Sequence, residues 1–359
     1  MNKQIYINKE EEYRLHPGVN VSKLKLLEKG VDKYKEEKDK SLSSPSIIIG
    51  KVVDTLLTDT TESFGNKYII LNGDVEVPTE KILYIISSLY ETIKEVSDDV
   101  SERMLDYENY LRDILENTDW YQNRKIETRL ADVVRYSDYF RFLVKAEGKT
   151  VLSEEIFKTA SIAAESIKNN ETTKEYFCEE SIKDGIHIFY QLPIFFEILN
   201  KDPQNSMAAK ALLDFVIVDT NNKLIRGGDL KTMTEPCIKF KENVISYRYD
   251  LQAAFYSEAL SYAINSNLDI FGIDLTDYKL HNSFLFVVES TKYPGNPVVF
   301  ESDETVVSSG IYGRRSADGK YVYSKGFLEL LDEMSYLRKI DFMADKVIHE
   351  NKNRLVLSL

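Results

Sequence analysis

The chain has 359 residues, of which 43% are hydrophobic and 29% charged, so it can bury a sizeable core and is unlike a disordered protein. Its net charge of −13 argues against a protein that coats nucleic acid generally, because such binding depends on Lys and Arg that neutralise phosphates. Two cysteines exclude a four-thiolate zinc or iron–sulfur site, and the four histidines are scattered, so we expect any bound metal to be a hard cation held by oxygen.

The N-terminal part of the sequence is mainly helical. Ser22 is a plausible N-cap for a charged helix over 23–38, and an apolar helical pattern follows over 46–58. Gly50 and Asp54 lie one turn apart on the same face of that second helix. A short strand is predicted over 67–71.

The middle of the sequence predicts helix almost continuously from 79 to 183. Ile82, Ile85, Ile86 and Leu89 repeat at helical spacing, and similar patterns follow. We therefore predict a helical insertion over 79–185 that separates an N-terminal segment, 1–78, from the rest of the core, 186–359.

The last part of the sequence changes to strands. Turn signals separate apolar segments over 186–199, 208–219 and 224–231, which predicts antiparallel strands. A helix over 244–264, strands over 283–289 and 298–301, and a closing helix from 325 complete the pattern. The predicted fold is α/β, with a central mixed β-sheet flanked by helices.

Two neighbouring predicted strands carry charged residues on faces where charge is costly. Residues two apart share a face of a strand, so Asp229 and Lys231 point the same way. Asp214 lies within an apolar run, where a carboxylate needs a partner or a metal. Two carboxylates and a lysine in this arrangement predict a phosphodiesterase site. The carboxylates would hold Mg²⁺, which activates water, and the lysine would orient the attacking hydroxide.

The helix after this strand carries a polar stripe. Arg248, Gln252 and Tyr256 follow at spacings of four residues and share one face. The surrounding stretch, 221–248, holds six basic and three acidic residues, against the trend of the whole chain. The stripe could therefore hold a DNA backbone beside the metal.

These motifs resemble a known family. The order of Asp214, then Asp229-Leu230-Lys231, then Tyr249-x-x-Gln252-x-x-x-Tyr256 is similar to the RecB/RecE-type branch of the PD-(D/E)XK nucleases, above all the phage and prophage exonucleases of the RecE group. The segments around Ser22, around Gly50 and over 284–301 also resemble that branch. The resemblance covers roughly 20–75 and 186–340, and Asp54 stands where the family usually has a histidine.

The resemblance implies a set of site residues. It makes Lys231 catalytic together with Asp214 and Asp229, and it assigns DNA contact to Gln252, Tyr256 and Arg248. The expected metal ligands are Asp214, Asp229, Leu230 and Asp54. The expected cofactor is Mg²⁺, with Mn²⁺ as a substitute.

The implied function is a double-strand-end exonuclease that digests DNA 5′ to 3′ in phage-type recombination or repair. DNA is the expected partner, together with a single-strand annealing protein, and a homo-oligomer stays open. Because no signal peptide precedes Glu10 and no apolar run approaches about 18 residues, we expect a cytoplasmic protein without a membrane partner. The alternatives are an endonuclease on the same site, a non-catalytic DNA-binding module with this fold, and a phage interaction protein that works through its helical insertion.

Overall fold

The computed structural model describes residues 3–7, 9–38, 44–71, 75–97, 99–198, 206–319 and 321–352. The chain divides into two compact units. The first unit comprises Met1–Asp59 and Ala160–Leu359, and the second comprises Thr60–Thr159. The second unit thus begins 19 residues earlier, and ends 26 residues earlier, than the insertion that the sequence predicts over 79–185.

The helices are α1 Glu10–Leu15, α2 Val21–Glu28, α3 Val31–Glu37, α4 Pro45–Thr58, α5 Thr61–Lys67, α6 Glu80–Val96, α7 Glu108–Glu116, α8 Ile126–Val134, α9 Ser137–Lys145, α10 Glu154–Asn169, α11 Lys174–Phe177, α12 Phe240–Ser246, α13 Tyr249–Asn265, α14 Glu304–Tyr312, α15 Phe327–Lys339 and α16 Lys346–Glu350. The strands are β1 Gln4–Tyr6, β2 Tyr68–Leu71, β3 Thr150–Ser153, β4 Ile186–Ile198, β5 Met207–Asp219, β6 Leu224–Met233, β7 Lys279–Leu280, β8 Phe284–Ser290, β9 Val298–Ser302, β10 Gly313–Arg315 and β11 Val322–Lys325.

The first unit is built on a central mixed sheet. Its strands follow the order β1-β4-β5-β6-β8-β9, and β7 pairs with β6. The pairs β4–β5, β5–β6 and β8–β9 are antiparallel, whereas β1–β4 and β6–β8 are parallel. Helices flank this sheet, so the predicted fold class is confirmed.

Helix α13 packs on this sheet through an apolar face. Leu251 and Phe255 are fully buried, and the Phe255 ring meets Phe196 of β4 with centroids 5.4 Å apart. Helix α4 approaches β6 at Gly50, where an added Cβ would lie 3.0 Å from the Thr232 hydroxyl. The absence of a side chain at Gly50 therefore allows α4 to lie close to the sheet.

Two predicted helices are interrupted. The helix expected over 23–38 divides into α2 and α3 at Gly30, whose φ of 107° favours glycine, and its N-cap is Asn20 instead of Ser22. The helix expected over 244–264 divides into α12 and α13 at Arg248, which has a left-handed backbone with φ of 55°. Both breaks lie at residues whose backbone cannot continue a helix.

The second unit has its own hydrophobic core. The repeat Ile82, Ile85, Ile86 and Leu89 on α6 is buried there, together with Phe140 of α9. The strands β2 and β3 pair in parallel, which explains why β2 belongs to this unit. The predicted continuous helix is instead a series of shorter helices joined by turns.

The chain leaves the first unit after α4 and returns within α10. Lys168 of α10 donates a hydrogen bond to the Leu56 carbonyl of α4 at 3.0 Å, so the outgoing and returning segments lie side by side. In the described part of the chain, no helix combines the length and the apolar character that a membrane span requires.

Candidate active site

The backbone ladder between β5 and β6 opens at Asp214. Phe215 lies opposite Gly228 in register, and one position further the carboxylate of Asp214 accepts a hydrogen bond from the Leu230 N–H at 2.7 Å. The side chain thus bonds a β6 backbone group at the point where the two strands separate. This hydrogen bond holds the Asp214 carboxylate beside Asp229, Leu230 and Lys231 of β6.

Asp229 and Lys231 follow on β6 and face the same side, as their spacing predicts. Asp229 is only 2% exposed, and Lys231 donates to its carboxylate in a buried ion pair. The Lys231 ammonium also lies 3.2 Å from the Leu230 carbonyl oxygen. Burial alone lowers the pKa of Lys231, but the charges of Asp229 and Asp214 outweigh it and hold this pKa above its ordinary value.

Asp214 is surrounded by other acids. Its burial, together with the negative charges of Asp229 and Asp54, raises its pKa well above the ordinary value of an aspartate. Lys231 and the Leu230 N–H act in the opposite direction without cancelling the shift. The three predicted acids therefore share one electrostatic environment, in which adding negative charge is costly.

Asp54 of α4 is held by two neighbours. Gln191 of β4 donates to both carboxylate oxygens at 3.0 and 2.9 Å, and the Thr58 hydroxyl donates at 3.1 Å. Gln191 has a left-handed backbone with φ of 51°, and it stands opposite Asp214, because Tyr190 pairs with Phe215 and Leu192 with Leu213. The strained residue Gln191 thus connects Asp54 to the strand that carries Asp214.

Helix α13 directs Gln252 and Tyr256 toward β6. The Gln252 side-chain amide donates to Asp229 at 2.7 Å. Tyr256, one turn later, packs against Phe284, and burial followed by the charge of Asp229 raises the pKa of its hydroxyl well above the ordinary value. Both residues are buried, and Gln252 contacts one of the acids, while their expected contact with DNA stays a prediction.

Arg248 does not join this group. Its guanidinium donates to Asp250 at 3.0 Å, to Glu28, and to the Lys325 carbonyl at 2.6 Å. The side chain is 8% exposed. Since its donors are engaged inside the protein, Arg248 joins α13 to α2 and β11, and we no longer assign it to a DNA contact.

A lysine to which the sequence analysis gave no role, Lys25, also reaches the site. The Lys25 ammonium of α2 donates to the Gln252 side-chain oxygen at 3.4 Å and lies 5.2 Å from the centroid of the Tyr249 ring, over which Lys231 lies at 5.4 Å. Burial and the positive charge of Lys231 lower the pKa of Lys25 to about 7. Its signal in the sequence was its place in the segment Ser22-Lys23-Leu24-Lys25, which resembles the family but was given no role.

The groups near Asp214 and Asp229 that could bind a cation are their own carboxylates and the Leu230 carbonyl, all of which offer oxygen. In the part of the chain that the structure describes, no three His, Cys, Asp or Glu side chains form a group that could hold a metal ion. A cation here would therefore be held by two carboxylates, the Leu230 carbonyl and water. Such a set fits Mg²⁺, which keeps several waters, and the negative charges of Asp229 and Asp54 beside Asp214 favour a cation there.

Comparison with known proteins gave a distant structural likeness. No family model matches the chain, and no curated protein matches it. A solved structure of a protein named "Putative exonuclease" from Eubacterium rectale is 13% identical, with a TM-score of 0.44, over 99% of this chain and 96% of that one. At this similarity the likeness carries no argument about fold or activity, and any assignment of function depends on the residues themselves.

Proposed function

We propose that the protein is a Mg²⁺-dependent DNA nuclease that hydrolyses phosphodiester bonds at double-strand ends. One observation carries the proposal. Asp214, Asp229 and Lys231, three side chains selected for this chemistry from the sequence, meet where the β5–β6 ladder opens. A structural ion pair would account for Asp229 and Lys231 alone, but it would not account for a third charge, Asp214, beside them.

Each residue has a role that follows from its contacts. Asp214, Asp229 and the Leu230 carbonyl would bind the cation, which when bound activates water and neutralises charge on the phosphate. Lys231 would donate to the oxygen on which negative charge develops as water attacks phosphorus and the bond to the leaving oxygen breaks. Gln252 holds Asp229 at 2.7 Å and so fixes its orientation for binding.

The finer parts of the proposal come from the resemblance to the RecE exonuclease group. Digestion from 5′ to 3′ would expose a strand for a single-strand annealing protein, and Mn²⁺ would substitute for Mg²⁺. The negative charge of Asp54 acts on Asp214, as that of Asp229 does. Asp54 would therefore bind the cation directly or through a bound water. Gln252 and Tyr256 are the residues of the polar stripe that lie at the site.

The deciding experiment compares three DNA substrates. End-labelled linear duplex, nicked circles and covalently closed circles are incubated with the protein, with and without Mg²⁺. We expect degradation of the linear duplex only, and only with Mg²⁺. Cleavage of the closed circle would show an endonuclease, and binding without hydrolysis of any substrate would show a non-catalytic module.

Replacing Lys231 gives the most direct test of the proposed catalytic role. Lys231→Ala should lower the cleavage rate by on the order of 10²-fold or more, because the lysine acts on charge that develops in the transition state. Its matched control is Lys81→Ala, which removes an exposed lysine paired with Asp119 and should cleave at the wild-type rate. Near wild-type cleavage by Lys231→Ala would disprove the catalytic assignment.

A further inference from the structure

Exposed aromatic and basic side chains gather around the β10–β11 hairpin. Tyr312, Tyr321 and Tyr323 are 66%, 58% and 65% exposed, and Arg314 and Arg315 are exposed beside them. We call these five residues the hairpin surface. Tyrosines exposed to this degree contribute little to a core, so their packing does not explain why so many occur together.

The hairpin surface borders a cleft. Its volume is about 730 Å³, and its lining includes Thr305, Ser308, Tyr312, Arg314, Arg315 and Tyr323. Glu329 fixes Arg315 by an ion pair of 2.7 Å, whereas Arg314 makes no ion pair with any described residue. The cleft thus offers an available guanidinium, hydroxyl groups and aromatic rings.

This combination matches the chemistry of a single strand of nucleic acid. Guanidinium and hydroxyl groups bind phosphate oxygens, and exposed tyrosine rings stack on bases. Bases of a duplex are already stacked and paired, so their faces are unavailable to such rings. Arg315 is paired with Glu329, so Arg314 supplies the positive charge of this surface that favours phosphate.

The hairpin is anchored to the helix that supports the candidate active site. The Lys325 carbonyl at the end of β11 accepts from Arg248, and the Lys325 N–H donates to Glu28 of α2 at 2.9 Å. On the other side of the cleft, Ser309 of α14 donates to Asp250 at 3.1 Å. Asp250 lies two residues before Gln252, so the cleft and the acids share the first turns of α13.

We propose that the hairpin surface binds single-stranded DNA, with Arg314 on a phosphate and the tyrosines on unpaired bases. Its use in holding the uncut strand during digestion rests on the proposed nuclease function, but the binding itself does not. The surface is separate from the acids of the site, because none of its five residues contacts them in the described structure.

Binding is measured with a fluorescent oligothymidylate and with a hairpin duplex, both in EDTA so that no hydrolysis occurs. We expect wild-type protein to bind the oligothymidylate, and the double variant Arg314→Ala/Tyr323→Ala to bind it at least about tenfold more weakly. Arg314→Ala alone should lower the salt dependence by about one phosphate contact. The control is Tyr84→Ala/Arg141→Ala, which removes an exposed tyrosine and an exposed arginine of the second unit and should change nothing.

Two results would overturn the proposal. One is an unchanged affinity of the double variant for oligothymidylate, with circular dichroism showing a native fold. The other is an equal loss for oligothymidylate and duplex, which would show a simple electrostatic patch. Cleavage of linear duplex by the wild type is scored separately, so failure of the nuclease proposal leaves the binding result interpretable.

Discussion

At the scale of single residues, the Tyr249 ring lies under two ammonium groups, those of Lys25 and Lys231. Two positive charges this close disfavour each other, and Asp229 is bonded directly to only one of them, Lys231. Burial and the positive charge of Lys231 therefore lower the pKa of Lys25 to about 7. A phosphate beside it would remove that penalty and restore the charge.

The low pKa of Lys25 predicts a specific dependence of stability on pH. The unfolded chain has a lysine pKa near 10.4, so between about pH 7 and pH 10 it binds more protons than the folded protein. The unfavourable contribution of Lys25 is thus complete below about pH 7 and disappears as the pH rises toward 10. Relative to Lys25→Met, the free energy of unfolding of wild type should rise by up to ~1.4 kcal/mol per pH unit in this window.

Chemical unfolding of both proteins at several pH values measures this difference. Lys29→Met is the control, because Lys29 is the exposed residue that follows α2. Parallel stability curves for wild type and Lys25→Met would contradict the prediction.

A second prediction for a single residue concerns Asp54 and the choice of metal ion. Its carboxylate adds oxygen and negative charge near Asp214, which suits Mg²⁺, whereas a histidine would offer nitrogen, which suits Mn²⁺. We expect Asp54→His to shift the ratio of Mg²⁺-supported to Mn²⁺-supported cleavage toward Mn²⁺. The ratio is measured at matched metal concentrations, with Asp113→His of the exposed face of α7 as control. An unchanged ratio would remove Asp54 from the metal environment.

The site residues that the sequence predicted follow patterns within a strand or a helix, whereas those it missed come from distant elements. Asp229, Lys231 and Gln252 follow from periodicity within a strand or a helix, so their shared direction could be predicted. Lys25 and Gln191 reach the site from distant elements, and their contacts depend on how α2 docks and on a strained residue in β4. No local pattern encodes either. The chemical roles of all these residues stay predictions.

At the scale of elements, apolar runs bounded by turn residues correctly predicted β4, β5, β6, β8 and β9. The break between α12 and α13 was not predicted, because it depends on Arg248 meeting Asp250 and Glu28 from another part of the chain. The short strands β1 and β7 were not predicted either. Each pairs with a long strand, which supplies a stability that the short segment itself lacks.

The close packing of α14 on α13 predicts that a larger residue at Gly310 destabilises the protein. A Cβ at Gly310 would lie 2.1 Å from the Asp250 carbonyl oxygen, a backbone atom that cannot swing aside. Gly310→Ala should therefore separate the two helices and cost about 3 kcal/mol of unfolding free energy. Weaker oligothymidylate binding should accompany this loss if the cleft depends on α14.

Gly65→Ala is the matched control. It lies in α5, where an added Cβ meets nothing within 4 Å, and alanine should stabilise that helix by up to ~1 kcal/mol. Thermal unfolding of both variants gives the comparison. If Gly310→Ala unfolds at the wild-type temperature, the close packing of α14 on α13 does not contribute to stability.

At the scale of the whole molecule, the chain carries 59 acidic and 46 basic residues, and three of the acids repel one another around Asp214. A divalent cation that binds there stabilises the folded state by mass action, by about 2.7 kcal/mol at a concentration one hundred times its Kd. We therefore expect Mg²⁺ to raise the melting temperature of wild type. NaCl at equal ionic strength should not reproduce the increase.

Asp214→Asn tests the origin of that effect. Removing one charge should make the metal-free protein more stable and should reduce the additional stabilisation by Mg²⁺, since one ligand and one repulsion are lost together. Differential scanning calorimetry with and without Mg²⁺ measures both changes. Equal Mg²⁺ stabilisation in wild type and Asp214→Asn would place the cation elsewhere.

The second unit differs in its borders from the insertion expected over 79–185. Helical repeats within 79–183 indicated a segment apart from the sheet, and their apolar residues do form a separate core. The unit nevertheless begins at Thr60, because β2 pairs with β3 across some eighty residues, a contact that no local pattern specifies.

The hydrogen bond from Lys168 to Leu56 has a consequence for how this protein can change over evolutionary time. The ends of the inserted unit are already side by side in the first unit, and the entropy of closing a loop between them varies only slowly with its length. Doubling that length costs only about 0.6 kcal/mol. Homologues should therefore tolerate a longer, shorter or wholly different insert at this point, while the segments that hold Asp54 and the strands of the sheet stay constant in length.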